Sequence, residues 1–87
     1  MSLTSAEFER QLQPLLAGWK ADRLANCWLL ERGGRRVAIA WRPLSTLRLG
    51  VLELPRLDVS ISHTGGSFAE QADFIDDFLR YFRRGGG

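Results

Sequence analysis

Eighty-seven residues, 45% of them hydrophobic, suffice for one compact domain near the lower size limit for folding without staples, so residues 1–87 are read as a single domain. The lone cysteine, Cys27, excludes an internal disulfide, and twelve basic against ten acidic residues leave a net charge of only +2, too little to mark a dedicated polyanion binder. No apolar run approaches the roughly 18 residues that span a bilayer, and the start has neither a basic nor an apolar leader pattern, so a reducing cytoplasm without membrane contact is expected.

The chain opens on Thr4 followed three residues later by Glu7, the spacing of a capping box, and Phe8, Leu12, Leu15, Leu16 and Trp19 continue as one apolar helical stripe. Pro14 lacks an amide and collides with the preceding turn, which predicts a kink or restart. Gly18 and the polar residues 20–23 are expected to end this helix.

Residues 26–32 read as a first strand, with Trp28 and Leu30 on one face and Cys27 and Leu29 on the other. Gly33 and Gly34 supply the positive φ angles of a tight hairpin, and residues 35–41 return as a second strand. Pro43 to Thr46 reads as a turn into a third strand, in which Leu47, Leu49 and Val51 alternate with Arg48, Gly50 and Leu52. Residues 57–62 form a fourth, and the phase change around Leu52 to Pro55 predicts a bulge there. Ser67 and Glu70 then repeat the capping box before a second helix. Phe68, Ala72, Ile75, Phe78, Leu79 and Phe82 are its expected core stripe, with Phe74 and Tyr81 on the flank. Gly85 should end it.

The fold class is therefore α+β: two layers in the order α-β-β-β-β-α, a four-stranded antiparallel meander with both helices packed on one face. Val37, Ile39, Trp41, Leu47, Leu49, Val59 and Ile61 are assigned to the covered face. The other face has a centre of small residues flanked by arginines, and Arg36, Ala38, Ala40, Arg42, Arg48, Gly50 and Leu52 are its candidate interface residues. Long polar side chains usually shield a solvated sheet face, so a bare centre favours approach by a protein partner, most simply a second copy in a homodimer. A merely solvated face is the plain alternative. Nucleic acid or another polyanion is a further alternative, with Arg36, Arg42 and Arg48 as phosphate contacts and Trp28 or Trp41 stacking, although no RNA-binding aromatic motif accompanies them.

Chemistry-bearing patterns are sparse. Residues 61–66, Ile-Ser-His-Thr-Gly-Gly, resemble a short motif of phosphopantetheinyl transferases. The companion Trp-Lys-Glu-Ala of that family has no counterpart, since residues 19–22 read Trp-Lys-Ala-Asp, and no membership is drawn. His63 reads as a strand-end residue beside a helix N-terminus whose dipole disfavours its protonation, and Cys27 as a buried core thiol. One Cys and one His leave a zinc site half built, and Asp73, Asp76 and Asp77 read as a solvated helix face. Gly85, Gly86 and Gly87 resemble the glycine-ended tails of ubiquitin-like sulfur carriers, which would make the chain a carrier protein activated at its C-terminus. The reading that integrates these features is a small bacterial protein without enzymatic activity, metal or cofactor, acting as an interaction module or accessory subunit. Eleven arginines to one lysine, with nine glycines, point to a GC-rich coding sequence.

Overall fold

The computed structural model describes residues 3–83, in the order α1 (Ser5–Leu16), β1 (Lys20–Leu24), β2 (Cys27–Arg32), β3 (Arg35–Leu49), β4 (Leu52–Thr64) and α2 (Phe68–Arg83). The four strands form one antiparallel sheet in sequential order, a meander. Both helices pack on the same face of it.

Both helix starts follow from their capping boxes. Thr4 Oγ1 accepts from the Glu7 amide at 3.2 Å while the Thr4 amide donates to Glu7 Oε1 at 3.1 Å. Ser67 and Glu70 do the same at 3.1 and 2.8 Å. These contacts hold the carboxyls of Glu7 and Glu70 below their ordinary range, because backbone amides stabilise the charged form. Contrary to the expected break, α1 runs through Pro14 and ends at Leu16. Pro14 stands in the last turn, where only one intrahelical bond is lost.

The strands differ from expectation in a way that matters for the site. Residues 20–24 are not a helix tail but β1, paired from Lys20↔Glu31 to Leu24↔Cys27 across a turn in which Asn26 takes φ 53°, a left-handed conformation that Asn tolerates. Arg23 fastens this strand to α1: its Nε and Nη2 donate to the two Glu9 carboxylate oxygens at 2.6 and 2.9 Å. Gly33 and Gly34 form the expected hairpin turn at φ 55° and 79°. The expected second and third strands are one 15-residue strand, β3, without a turn at Pro43.

Two prolines are absorbed by the ladder. The Trp41 amide donates to the Asn26 carbonyl at 3.0 Å. Two residues on, position 43 projects its missing amide to the same side, beyond the end of β2, where a proline interrupts nothing. Pro55 lies opposite Ser45 and Thr46 at a bulge between Leu44 and Leu47, and Arg56 Nε donates to the Ser45 carbonyl there at 3.0 Å. The expected bulge therefore exists, but its extra residue is on β3 rather than in residues 52–55.

The core joins Phe8, Leu12, Leu15 and Leu16 of α1 to Leu30, Val37, Ile39, Trp41 and Leu57 of the sheet and to Phe74, Phe78 and Phe82 of α2. Phe8 is its hub, 5.3 Å from Trp41, 6.3 Å from Phe78 and 5.0 Å from Phe82 between ring centroids. The phenylalanines at i, i+4 and i+8 set the rotation of α2, so Phe74 is core rather than flank. Phe68 (89% exposed) and Leu79 (43%) leave the expected stripe. Three aromatic rings offer more buried area than the alternative stripe.

Beyond Ala40, where β2 ends, β3 and β4 continue as a two-stranded arm, residues 43–57, closed by Gly50 and Val51. The arm stretches the molecule to 48 × 25 × 18 Å with a radius of gyration of 14.1 Å, against about 12 Å for a compact chain of this length. Leu47 and Leu49, assigned to the core by their alternation, lie on this arm and are 36% and 55% exposed. No described helix is long and apolar enough to cross a membrane.

Candidate functional site

Cross-strand register fixes which residues share the face of the sheet that the helices leave bare. Starting from the end remote from the arm, its rows are Lys20, Glu31, Arg36 and Thr64; then Asp22, Leu29, Ala38 and Ser62; then Leu24, Cys27, Ala40 and Ser60. The face continues onto the arm through Arg42 and Asp58, Leu44 and Arg56, Leu47 and Leu54, and Leu49 and Leu52. The phase along β4 is unbroken, so Leu52 and Leu54 point to the same side as Ser60 and Ser62.

The surface has a hollow and a ridge. Around Ala38, Leu29 and Ser62 a hollow of about 270 Å³ opens, bounded by Asp22, Glu31, Arg36 and Thr64. On the arm, Leu44, Leu47, Leu49 and Leu52 are between 36% and 58% exposed, and Leu24 and Leu29 lie at 50% and 41% beside the hollow. Six exposed leucines on a sheet face with no second layer over it, set among charged rows, make the kind of apolar patches that partners cover.

The candidate interface residues are thus split by the structure. Arg36, Ala38, Ala40 and Arg42 share β3 on the bare face. Leu52 reaches the same face only at the arm, Gly50 is in the arm's turn at φ 63°, and Arg48 is on the arm's opposite face, paired to Glu53 at 3.1 Å. Arg36 and Arg42 are likewise paired, to Glu31 at 3.5 Å and Asp58 at 3.1 Å. Cys27 belongs to the bare face rather than the core: it is half-buried next to Leu24 and Ala40, with its Sγ 3.8 Å from the Trp28 carbonyl. Sequence reasoning missed Leu24, Leu29, Leu47, Leu49 and Leu54 as surface residues. The phase of Leu29 against Leu30 was readable, but nothing in the sequence says that the bulge falls at Ser45 and Thr46 and turns Leu47 and Leu49 onto the bare face.

A second concavity of about 380 Å³ lies on the helix side, among the end of α1, the β2–β3 turn and α2. Arg32 and Arg35, paired across the two-glycine turn, both stack on Trp19, at 4.3 and 5.0 Å from the ring centre. Arg35 also reaches Glu70, 3.6 Å from Oε2 and 3.3 Å from the carbonyl oxygen. Asp73 and Asp77 line the opposite wall, Asp77 being paired to Arg80 at 3.4 Å. The charges here largely answer one another, as in a structural clamp. No described group of three or more His, Cys, Asp or Glu is placed to hold a metal.

His63 lies on the covered face, opposite Val37 and edge-on to Phe74 at 5.6 Å. Burial, with the Arg35 charge second, lowers its pKa below the usual 6.5. The expected direction is right, but desolvation rather than a helix dipole causes it. The glycines at 85–87 lie outside the described residues. No family model matches the sequence, no curated protein matches it and no solved structure matches it, so the bare face and its geometry carry the functional argument.

Proposed function

We propose that the protein is a non-enzymatic interaction module, a self-assembling protein or accessory subunit of a bacterial cytoplasm, working through the uncovered face of its sheet. The observation that carries this reading is the pair of apolar patches on this face, Leu24, Leu29, Ala38 and Ala40 on the body and Leu44, Leu47, Leu49 and Leu52 on the arm, with the Arg42–Asp58 pair between them. Both lie on the side of the sheet that neither helix covers. Such a face gains about 25 cal/mol for each Å² of apolar area that a partner removes from water. The polyanion reading draws less support, because Arg36, Arg42 and Arg48 each already hold a carboxylate.

Ala40→Glu places a charge in the centre of the face without touching the core. Tagged wild-type and Ala40→Glu chains, purified in parallel from the native cell, should differ in what they retain, whether untagged copies of the chain or another protein. Equal retention by both would defeat the reading.

A further inference from the structure

We infer that the occupant of the bare face is a second copy of this chain, with the leucine arm of each copy seated in the hollow of the other. This rests on the interaction-module reading and names its partner. The basis is a size palindrome along β3 and β4, with one complementary charge pair on β4. Counting outward along β4 from Leu57, the bare-face residues on one side are Asp58, Ser60 and Ser62, and on the other Arg56, Leu54 and Leu52. On β3, Arg42, Ala40 and Ala38 are mirrored by Leu44, Leu47 and Leu49, with the bulge supplying the extra residue.

A two-fold axis lying between the copies and crossing the strands near Pro43 and Leu57 superposes each half of this list on the other half of the partner. Small residues then meet large ones: Ala40 the partner's Leu47, Ala38 the partner's Leu49, Ser60 the partner's Leu54, Ser62 the partner's Leu52. Next to the axis, Asp58 meets the partner's Arg56, a matched charge pair on β4, while on β3 Arg42, already paired to Asp58, meets the partner's Leu44. The hollow of about 270 Å³ lies where the match requires it, around Ala38 and Ser62. The hollow is open to solvent, with Leu29 and Ala38 among its lining and Asp22, Glu31, Arg36 and Thr64 around it, and it offers the space into which the partner's Leu49 and Leu52 would be seated. Because the contact is made twice, each copy both gives an arm and covers one. Two facing sheets in aligned packing sit about 10 Å apart, the spacing at which leucine fills the room left by alanine.

A partner of different sequence would need neither the order of the palindrome nor the position of the hollow. The leucine rows carry no charge with which to select a nucleic acid or an acidic peptide; of the arm's charges, Arg48 and Glu53 are paired on its other face and Arg56 donates to the Ser45 carbonyl.

Sedimentation equilibrium of the wild-type chain should give twice the 9.8 kDa monomer mass. Leu49→Arg should give the monomer mass with an unchanged far-ultraviolet circular dichroism spectrum, and Ala38→Leu alone should weaken dimerisation at least tenfold. Ala38→Leu combined with Leu49→Ala exchanges large for small and should recover the dimer. A wild-type chain that stays monomeric while Ala40→Glu still loses a heterologous partner would overturn the inference and leave the interaction-module reading standing. A dimer that Leu49→Arg disrupts and the exchanged pair does not restore would overturn the seating of arm in hollow. If Ala40→Glu and Leu49→Arg alter neither mass nor retention, inference and reading fall together.

Discussion

The two halves of β3 carry nearly the same pattern and meet opposite fates. In the first half Val37, Ile39 and Trp41 alternate with Arg36, Ala38 and Ala40, and the inward set is at most 3% exposed. Across the second half Leu47 and Leu49 alternate with Arg48, and the leucines stand in water. Alternation assigns residues to faces; it is the element lying over a face that buries it. A two-stranded ribbon has no second layer of its own and is marginal alone. The body of this protein is therefore stabilised by its own helices, whereas the arm's leucines lie on the face that the helices leave bare.

The sharpest way to test that contrast is to truncate one large side chain in each region. Phe8→Ala removes the hub ring at a fully buried position and should cost about 3–5 kcal/mol, comparable to the entire stability of a domain this small. Leu49→Ala in dilute, monomeric protein should change urea stability by less than about 0.5 kcal/mol. Similar losses at the two sites would erase the distinction.

Glycine turns give a second, smaller comparison. Gly65 and Gly50 both hold positive φ, at 75° and 63°, so alanine is strained at each by about 1 kcal/mol. At Gly65 an added Cβ would also lie 2.8 Å from the Gly34 carbonyl oxygen, whereas at Gly50 it meets nothing within 4 Å. Thermal denaturation should accordingly rank Gly65→Ala below Gly50→Ala in stability. The reverse order would mean that the body's turns are looser than the arm's.

The local signals that were readable share one physical property: each is complete within a few residues. Thr4 with Glu7, Ser67 with Glu70, and Gly33 with Gly34 specify their geometry without help from the rest of the chain. β1 was hidden because it is an edge strand, offering only Ala21 and Arg23 to the covered side; Arg23 enters by pairing with Glu9, a partner fourteen residues away. The arm was hidden because Pro43 reads as a turn unless it is known that β2 has ended beside it. Of the candidate face, the β3 centre was legible from phase alone. The leucine ridge was not, since the extra residue at the Ser45–Thr46 bulge moves Leu47 and Leu49 from the phase of Val37, Ile39 and Trp41 onto the bare face.

Smaller effects refine the body further. Thr4→Ala and Ser67→Ala should each cost about 1 kcal/mol by loss of a cap, read as lowered urea midpoints and additive, since the two helices start at separate places. The smallest expected change is in pH dependence. The pKa of His63 is lowered in the folded state, so the unfolded chain binds the proton more readily. Its contribution is fully present above the unfolded value of 6.5 and is lost as pH falls from there toward the folded value. His63→Phe should flatten the stability profile in that window and leave the later loss below about pH 4.5, where Glu7, Glu9 and Glu70 protonate. An unchanged slope above pH 5 would assign the effect elsewhere.

Cys27 has one more consequence. As the chain's single thiol, placed beside Ala40 on the bare face, it is a built-in chemical clock for that surface. Its alkylation rate in the unmodified protein should fall as the face becomes covered, with concentration if the cover is a second copy and with ligand if it is not. Occupancy could then be followed inside intact cells without altering a residue.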